Sequence, residues 1–553
     1  MSYGNAARRK PLLSDVTMGD TAPPTMPSPA ATPPARAERR IAVGAALGIL
    51  SGVVALGMAH LAAGVLDGAS SPVLAVGGVV IDLTPEWLKS FAIRTFGTAD
   101  KLVLLGGIGV VLALAAVLLG IASVRRPILA IGGLLTLALI GALAAVTRPS
   151  NGPMASLPSL AGGMAGVGAY ILLRRAAGLP PVGGRDASEV EEPLPAPRDY
   201  DRRRFLWTAI AAAGLALATD RVGEWFVRRA DASDSRAAVR VPDALDPAAP
   251  VLEGADLGVA GLDPFITPND RFYRVDTALF VPSVLAQEWS LEVHGMVEEP
   301  LSLTYEQLVA RPLIERDVTL ACVSNEVGGR YVGNARWIGV PLADLLSAAR
   351  FLPGADQLVS RSADGWTAGT PTSVVMDGRD AMLAVAMNGE PLPLEHGFPV
   401  RMIVPGLYGY VSATKWLMEL ELTTFQAFDP YWVERGWAEQ APIKTQSRID
   451  TPSQADRLLP GEVAIAGVAW AQHRGIEKVE VRIDDGPWLA AELGIADTED
   501  TWRQWVLRWR AVPGPHMLTV RAIDGTGALQ TEEVAPPFPD GATGYHTIEV
   551  DVG

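Results

Sequence analysis

Cys322, the only cysteine in the chain, is the residue best suited to carry chemistry. One thiol cannot form an internal disulfide, a Cys-x-x-Cys redox pair, a c-type haem motif or the ligand set of an iron-sulfur cluster, so these are excluded. A free cysteine is commonly a small buried apolar residue, but Cys322 enters a polar, glycine-containing loop that ends at Gly329. These polar neighbours favour a functional thiolate.

Four other segments extend the pattern around this cysteine. They are Phe272-Tyr-Arg274, Met387-Asn-Gly-Glu-Pro-Leu-Pro-Leu-Glu-His-Gly-Phe-Pro-Val-Arg401, Val404-Pro-Gly406 and Lys415-Trp416. With the Cys322 loop, they resemble the sulfite oxidase family of molybdopterin-dependent oxidoreductases. The resemblance covers about half the chain and continues into a C-terminal region that is similar to the family's immunoglobulin-like dimerisation domain.

The resemblance implies a molybdenum-molybdopterin cofactor and a set of residues that hold it. Cys322 would be the protein ligand to molybdenum, because a soft thiolate suits a metal that cycles between oxidation states. His396 and Arg401 would hold the pterin and its phosphate, and Arg274 would reach toward the metal. The other expected contacts to the cofactor are Ser412, Thr414 and Lys415, with Ser324, Asn325 and Asp364 as weaker candidates.

This sequence departs from the family at the substrate end of the site. Sulfite oxidases place arginines just after the metal cysteine, whereas Val323-Ser-Asn-Glu326 stands here, so the anion clamp is weakened. Val275-Asp276 replaces an Asn-His pair. The family's active-site tyrosine has no clear match, and the candidates for its position are Trp437, Tyr408, Tyr410 and Tyr431.

Uncharged stretches before residue 220 predict membrane helices. The stretches at 41–66, 102–124, 127–147 and about 154–173 are each long enough for one transmembrane span. With the N-terminus in the cytoplasm, fifteen Lys and Arg residues lie inside and four outside, so we expect this orientation at the cell membrane. A fifth stretch, 205–219, then places the catalytic domain outside the cytoplasm.

The fifth stretch also has features of an export signal. Arg203-Arg204 with Phe205-Leu206 is similar to a twin-arginine motif before a weakly hydrophobic segment, although positive-inside flanking explains the same arginines. Ala216-Leu-Ala218 is a candidate cleavage site, so the sequence leaves both a permanent fifth helix and a cleaved signal open.

The rest of the chain divides by composition into linkers and two folded units. Residues 1–40 are predicted to be a disordered cytoplasmic tail, and 174–204 a cytoplasmic linker, because Pro, Gly and charge dominate in both. An α+β molybdopterin domain is expected over 250–430, with helices near 304–310 and 341–349, and a β-sandwich over 440–553.

The composition indicates which kinds of partner this chain binds. A net charge of −15 argues against nucleic acid as a partner. The content of 49% hydrophobic and only 19% charged residues indicates that part of the chain contacts a lipid bilayer. Only His60 lies in a predicted span, so no bis-histidine haem is expected in this chain. Electrons would therefore pass to or from a separate cytochrome or quinone-linked membrane protein, and the resemblance suggests a homodimer through the C-terminal domain.

We therefore expect an extracytoplasmic, membrane-anchored enzyme that moves an oxygen atom to or from a small sulfite-like or sulfoxide-like molecule. The alternative is a membrane-anchored binding or assembly protein that has kept the fold and lost catalysis. A transporter has little support, because the predicted spans lack buried charges.

Overall fold

The computed structural model describes residues 33–66, 70–85, 100–148, 152–182, 202–229 and 232–553, and four single positions between 88 and 96. Most of the predicted tail, residues 1–32, and most of the predicted linker, residues 183–201, lie outside the described residues. The disorder predicted for them therefore stays a prediction.

A bundle of apolar helices forms the N-terminal region. Within the described residues its helices are α1 (Pro33–Leu66), α2 (Pro72–Leu83), α3 (Asp100–Ser123), α4 (Pro127–Val146), α5 (Leu157–Ala176) and α6 (Arg202–Arg229), with a 3-10 turn at Pro153–Ser156. Helix α1 is the centre of the bundle and packs against α3, α5 and α6. Each of the five apolar stretches identified in the sequence is a helix here.

Length and composition make five of these described helices, all except α2, able to cross a membrane. Helix α2 has 12 apolar residues, and a span needs about 20, so it is too short to cross. No helix was predicted at this place. A proline in the first turn favours the start of the helix. The buried glycines at positions 77 and 78 let the helix pack closely on the neighbouring helices α3 and α4.

The next unit is an α+β domain built on two mixed or antiparallel sheets. Its strands are β1 (Ser290–Gly295), β2 (Leu301–Thr304), β3 (Ile314–Ala321), β4 (Val332–Pro341), β5 (Gln357–Ser362), β6 (Thr367–Pro371), β7 (Met382–Met387), β8 (Glu390–Pro391), β9 (Arg401–Ile403) and β10 (Leu417–Thr423). The strand orders are β2-β1-β10-β5-β6 and β3-β4-β7-β8, with β9 paired to β7. Only β1 and β10 run parallel within these sheets.

Short helices connect these strands. They are α7 (Ala232–Ala238), α8 (Tyr305–Val309), α9 (Leu342–Ala349), α10 (Thr372–Val375) and α11 (Gly409–Ser412), with 3-10 turns at Leu394–His396 and Val433–Arg435. Helices α8 and α9 occupy the two stretches predicted to be helical. A capping box starts α8, because the Thr304 side chain accepts from the Gln307 amide and the Gln307 side chain accepts from the Thr304 amide.

The strands of the second sheet have nearly continuous apolar sequence because both of their faces are buried. All six residues of β7 are buried, and most of β4 is buried as well, so both faces of these strands are covered. Trp289 and Trp337 are almost fully buried in this core. The rigid sheets present their loop ends to the site described below.

The C-terminal region is rich in strands, as predicted. They are β11 (Gln446–Thr451), β12 (Arg457–Leu458), β13 (Gly461–Trp470), β14 (Ile476–Ile483), β15 (Leu489–Ala490), β16 (Glu492–Leu493), β17 (Arg503–Ala511), β18 (Gly514–Asp524) and β19 (His546–Val552). They form the sheets β11-β13-β17-β16 and β12-β19-β18-β14-β15. Ile465 and Trp505 from the first sheet share one buried core with Val481 and Val520 from the second.

Candidate active site

Cys322 lies directly after the last residue of β3, where the buried strand ends and a polar loop begins. Its backbone N–H donates to the Tyr331 carbonyl (2.9 Å), which closes the loop, and its Sγ lies 2.9 Å from the Ser324 Oγ. Burial raises the pKa of the thiol, and the hydrogen bond from Ser324 offsets part of that rise. The sulfur is partly exposed toward a cavity.

The segment from His396 to Arg401 forms one wall of the site. His396 is buried, and its Nε2 lies 3.1 Å from the Asn269 carbonyl. Burial, with the charges of Arg401 and Lys415, lowers its pKa to about 3, so the ring is neutral and Nε2 carries the proton donated to Asn269. Gly397 turns the chain at φ +109, where a Cβ atom would lie 3.0 Å from the Lys415 Cα and 3.1 Å from the Arg401 Cβ.

Arg401 is a buried cation without a carboxylate partner in the described part of the chain. It is 4% exposed, and its Nη1 donates to the His396 carbonyl (3.1 Å) while its guanidinium lies 5.0 Å from the Trp337 ring. Its Nε has no hydrogen-bond partner among the residues that the structure describes. Burial lowers the pKa of Arg401 from 12.5 to about 10, with a small opposing effect from Tyr273.

Asp276 is the centre of a cluster of cations. Its carboxylate contacts the Lys415 Nζ (2.8 Å), the Arg274 Nε (2.7 Å) and the Lys101 Nζ (2.8 Å), and it is 7% exposed. Burial alone would raise its pKa, but the three cations more than offset this, so the carboxyl stays ionised. Burial lowers the pKa of Lys415 to about 8, although Asp276 opposes that shift.

A cavity of about 510 Å³ brings most of the predicted residues together. Of the residues predicted from the sequence, those that line it are Cys322, Ser324, Asp364, His396, Arg401 and Lys415. Its size falls in the usual range for a small-molecule or cofactor site. Asp364 lies in the turn between β5 and β6, where its side chain accepts from the Trp366 amide (3.2 Å).

The other four predicted residues are not among the described residues that line the cavity. Arg274 bonds to Asp276 and is about one-third exposed. The Asn325 side chain accepts from the Tyr331 amide (2.8 Å), and the Ser412 hydroxyl donates to the Leu407 and Tyr408 carbonyls. The Thr414 hydroxyl lies 2.6 Å from that of Ser360.

Sequence reasoning missed several residues of the cavity. Tyr273 lines it, and burial raises the pKa of its hydroxyl. Asp276 was identified only as a departure from the family. Its carboxylate lies in the sequence between the motif with Arg274 and the motif with Lys415, which could have indicated a partner for these cations. Among the four aromatic candidates for the substrate end, Trp437 and Tyr410 line the cavity. The Tyr410 hydroxyl donates to the Ala438 carbonyl (2.6 Å).

The helical N-terminal region is attached at the cavity. The Tyr431 hydroxyl donates to Asp82 at the end of α2 (2.7 Å), and Arg148 also pairs with Asp82 (3.2 Å). Lys101, at the start of α3, bonds to Asp276 and to the Ala278 carbonyl (2.5 Å). Side chains of both helices complete the cavity wall.

The donor set fits an anionic cofactor. Three cavity-lining side chains have a buried polar atom without a partner among the described residues: Ser362 Oγ, Arg401 Nε and Trp437 Nε1. Buried polar atoms of this kind are normally satisfied, so a polar ligand is expected to reach them. An uncompensated guanidinium close to a thiol matches a ligand that brings negative charge and a thiophilic metal.

Comparison with known proteins agrees with this chemistry. Residues 278–432 match the family model described as oxidoreductase molybdopterin binding domain. Human mitochondrial sulfite oxidase is 30% identical over 323 residues, which are 49% of this chain and 58% of the human protein. The chain thus spans less than two thirds of that relative.

Two further similarities have different extents. The uncharacterized oxidoreductase YuiH of Bacillus subtilis is 33% identical over 150 residues, covering 27% of this chain and 72% of that protein. The sulfane dehydrogenase SoxCD of Paracoccus pantotrophus aligns over 52% of this chain and 84% of its own, with a TM-score of 0.46 and 24% identity. The family model and the sequence relatives together show that the chain belongs to the sulfite oxidase family of molybdopterin-dependent oxidoreductases.

Proposed function

We propose that this protein is a membrane-anchored, extracytoplasmic molybdenum-molybdopterin enzyme that transfers an oxygen atom to or from a small substrate. The observation that carries the proposal is the buried guanidinium of Arg401, which has no carboxylate partner among the described residues and lines the same cavity as the Cys322 thiol. A cofactor with a phosphate at one end and a metal at the other supplies what each group lacks.

The residues divide the work of holding the cofactor. Cys322 would bind the metal as a thiolate, and Ser324 would orient its sulfur. Arg401 would hold the phosphate, and the neutral His396 would donate through one ring nitrogen to Asn269 while presenting the other to the cavity. When bound, the molybdenum centre supplies two-electron redox chemistry coupled to oxygen-atom transfer.

The substrate end of the cavity favours a substrate without net charge, because no arginine directly follows Cys322. Val323 and Ser324 stand there instead, and Asp276 balances one of the three cations that contact it. Sulfite, a dianion, would meet a carboxylate and a weak clamp. A sulfoxide-like molecule would meet aromatic walls.

The membrane location rests on helix length, composition and the distribution of charge. The five long apolar helices support anchoring in the membrane. The excess of Arg and Lys in residues 1–40, 125–126 and 174–204 supports a cytoplasmic N-terminus with the catalytic domain outside. The predicted domain limits, the twin-arginine signal, the separate electron carrier and dimerisation through an immunoglobulin-like domain belong to the same proposal.

The test is to measure molybdenum and pterin in purified full-length protein, in the Cys322→Ser variant and in the Ser302→Ala variant. Ser302 is an exposed hydroxyl on β2 and serves as the control. We expect about one molybdenum per chain in the wild type and control, turnover with sulfoxides, N-oxides or sulfite, and no turnover by Cys322→Ser. Absence of metal and pterin from protein made in a host that synthesises the cofactor would favour the non-catalytic binding protein.

A further inference from the structure

The cavity at Cys322 has a wall that the molybdopterin domain does not supply. Val80 and Ile81 of α2 and Val103 and Leu104 of α3 line it together with the residues expected to hold the cofactor. Ion pairs and hydrogen bonds of the Asp82 carboxylate hold this wall in place, as described above. The wall is therefore a built part of the site.

The rim of the cavity on this side is apolar and open. Val80, Phe96 and Val103 line the cavity and are still 38%, 40% and 45% exposed. Leu83 and Leu102, beside them in the chain, are 79% and 72% exposed. Exposed apolar surface of this extent marks a site for an apolar molecule or a lipid environment.

The position of the rim relates it to the bilayer. The membrane-crossing part of α3 begins at Lys101, so Val103 and Leu104 lie within its first turn. On the orientation proposed above, this turn is at the outer edge of the hydrocarbon layer. A molecule dissolved in the membrane would meet the rim without first entering water.

The indole N–H of Trp437 is a hydrogen-bond donor at the cavity that lacks an acceptor among the described residues. Trp437 is 8% exposed, and its Nε1 has no hydrogen-bond partner within the described residues. The indole N–H is a donor only, and buried donors of this kind normally find an acceptor. A carbonyl oxygen on an aromatic-sized ring would satisfy it.

We propose that this apolar mouth binds the headgroup of a lipid-soluble quinone, which exchanges electrons with the active site directly from the membrane. The inference rests on the proposed function, because it requires both a redox centre at Cys322 and helices in the bilayer. It identifies the separate electron carrier as a lipid-soluble small molecule and makes the helices α2 and α3 its docking site.

The chemistry balances with a quinone Q and a substrate X. In one direction, X + H2O + Q gives XO + QH2: an X–O bond forms, both O–H bonds of water break, and two O–H bonds form on the quinol. In the other direction, XO + QH2 gives X + Q + H2O. Either way, the quinone carries the two electrons and two protons that oxygen-atom transfer requires.

A quinone fits this mouth better than a soluble redox protein does. A protein partner is expected to dock on a polar rim with charges around it. The rim here is apolar, and a quinone combines an apolar tail with carbonyl acceptors for Trp437. A lipophilic substrate of the enzyme would also suit an apolar rim, so the experiment must separate the two.

The experiment uses full-length, molybdenum-loaded protein in phospholipid nanodiscs, with decylubiquinone as the probe. The protein is reduced with dithionite, freed of reductant, and mixed with decylubiquinone or with ferricyanide; decylubiquinol and oxidised protein give the reverse reaction. The variants are Val103→Trp, which fills the mouth, and Val110→Trp on the same helix, 60% exposed and away from the cavity.

We expect electron transfer to or from the quinone, and a ratio of quinone rate to ferricyanide rate that falls about tenfold or more in Val103→Trp. In Val110→Trp the ratio should equal that of the wild type. Trp437→Phe should raise the quinone KM by roughly five-fold, the loss of one hydrogen bond. An unchanged ratio in Val103→Trp, or ferricyanide oxidation without any quinone reaction, would overturn the inference and leave the proposed function standing.

Labelling with an azidoquinone gives a second readout that is independent of turnover. Photolabel is expected in peptides that contain residues 72–84 or 100–104, with competition by decylubiquinone and none by decyl alcohol. Equal competition by decyl alcohol, or label elsewhere in the helices, would contradict a quinone site. If protein made in a cofactor-producing host contains no molybdenum, or if its reduced form is not oxidised by ferricyanide, the proposed function is refuted and the inference with it.

Discussion

Replacing Arg401 by methionine is expected to stabilise the cofactor-free protein and to weaken its hold on the cofactor. Arg401 is 4% exposed, and its charge has no carboxylate partner among the described residues. Methionine has a similar length and no charge, so it removes the cost of burying a cation. The phosphate that we expect to pair with this cation would lose its partner at the same time.

The size of the effect follows from the pKa of Arg401. Burial lowers that pKa from 12.5 to about 10, and each pKa unit corresponds to about 1.4 kcal/mol, so burying the charge costs on the order of 3 kcal/mol. Against this stand the hydrogen bonds to the His396 carbonyl and, at 3.5 Å, to the Ala413 carbonyl, at about 1 kcal/mol or less each. The net gain is then roughly 1–2 kcal/mol.

The assay is thermal unfolding of protein made in a host without molybdopterin synthesis and of protein made in a competent host. A gain of roughly 1–2 kcal/mol raises the Tm of a unit of this size by about 2–8 °C in the cofactor-free state. In protein from the competent host, Arg401→Met should retain less pterin than the wild type, as measured by fluorescence after oxidation.

The matched control is Arg336→Met, on β4 of the same domain. Arg336 pairs with Asp317, whose side chain is 2% exposed, at 2.6 Å. Removing this partner leaves a buried carboxylate and should cost about 3–5 kcal/mol in both states. If Arg401→Met lowers the Tm of the cofactor-free protein as Arg336→Met does, the charge of Arg401 is compensated in the fold and the reasoning is refuted.

Three further perturbations have defined outcomes. Gly78→Ala places a Cβ 1.1 Å from the Arg148 Nη2, so the flexible Arg148 side chain should turn away from Asp82 and the variant should lose about 1 kcal/mol of stability or less; Gly106→Ala, with nothing within 4 Å among the described residues, should lose none, and detergent melts measure both. Asp276→Asn leaves three cations without their carboxylate and should cost about 3–5 kcal/mol by the same melts. Burial, then Arg448, lowers the pKa of His546 from 6.5 to about 4, so stability should fall as the pH drops through that window.

The sign and size of the pH effect follow from proton binding. Between about pH 6.5 and 4 the unfolded state binds a proton that folded His546 does not, because burial and the charge of Arg448 keep the folded ring neutral, with Nδ1 accepting from the Ile449 amide (3.0 Å). The loss on acidification is about 3 kcal/mol, and His546→Gln should lack this part of the slope. A slope equal to that of the wild type in the variant would contradict the assignment.

For Asp276→Asn, a Tm within error of the wild type would show that solvent already screens the three cations.

The sequence determined the elements that depend on local pattern. Uninterrupted apolar stretches fixed five helices, since periodicity and length are properties of neighbouring residues, and alternation of strands and turns fixed the β-rich C-terminal region. Motifs at fixed spacing identified the family and brought Cys322, His396 and Arg401 to attention. The structure places all three at one cavity.

Only the tertiary structure decided what surrounds that cavity. The Lys101–Asp276 pair joins residues 175 positions apart, and the Tyr431–Asp82 hydrogen bond joins residues 349 apart. No local pattern encodes such contacts, because they depend on how separately folded elements pack. For the same reason, the sequence did not indicate that Arg274 pairs with Asp276 or that α2 and α3 supply part of the cavity wall, and the role predicted for Arg274 near the metal stays a prediction.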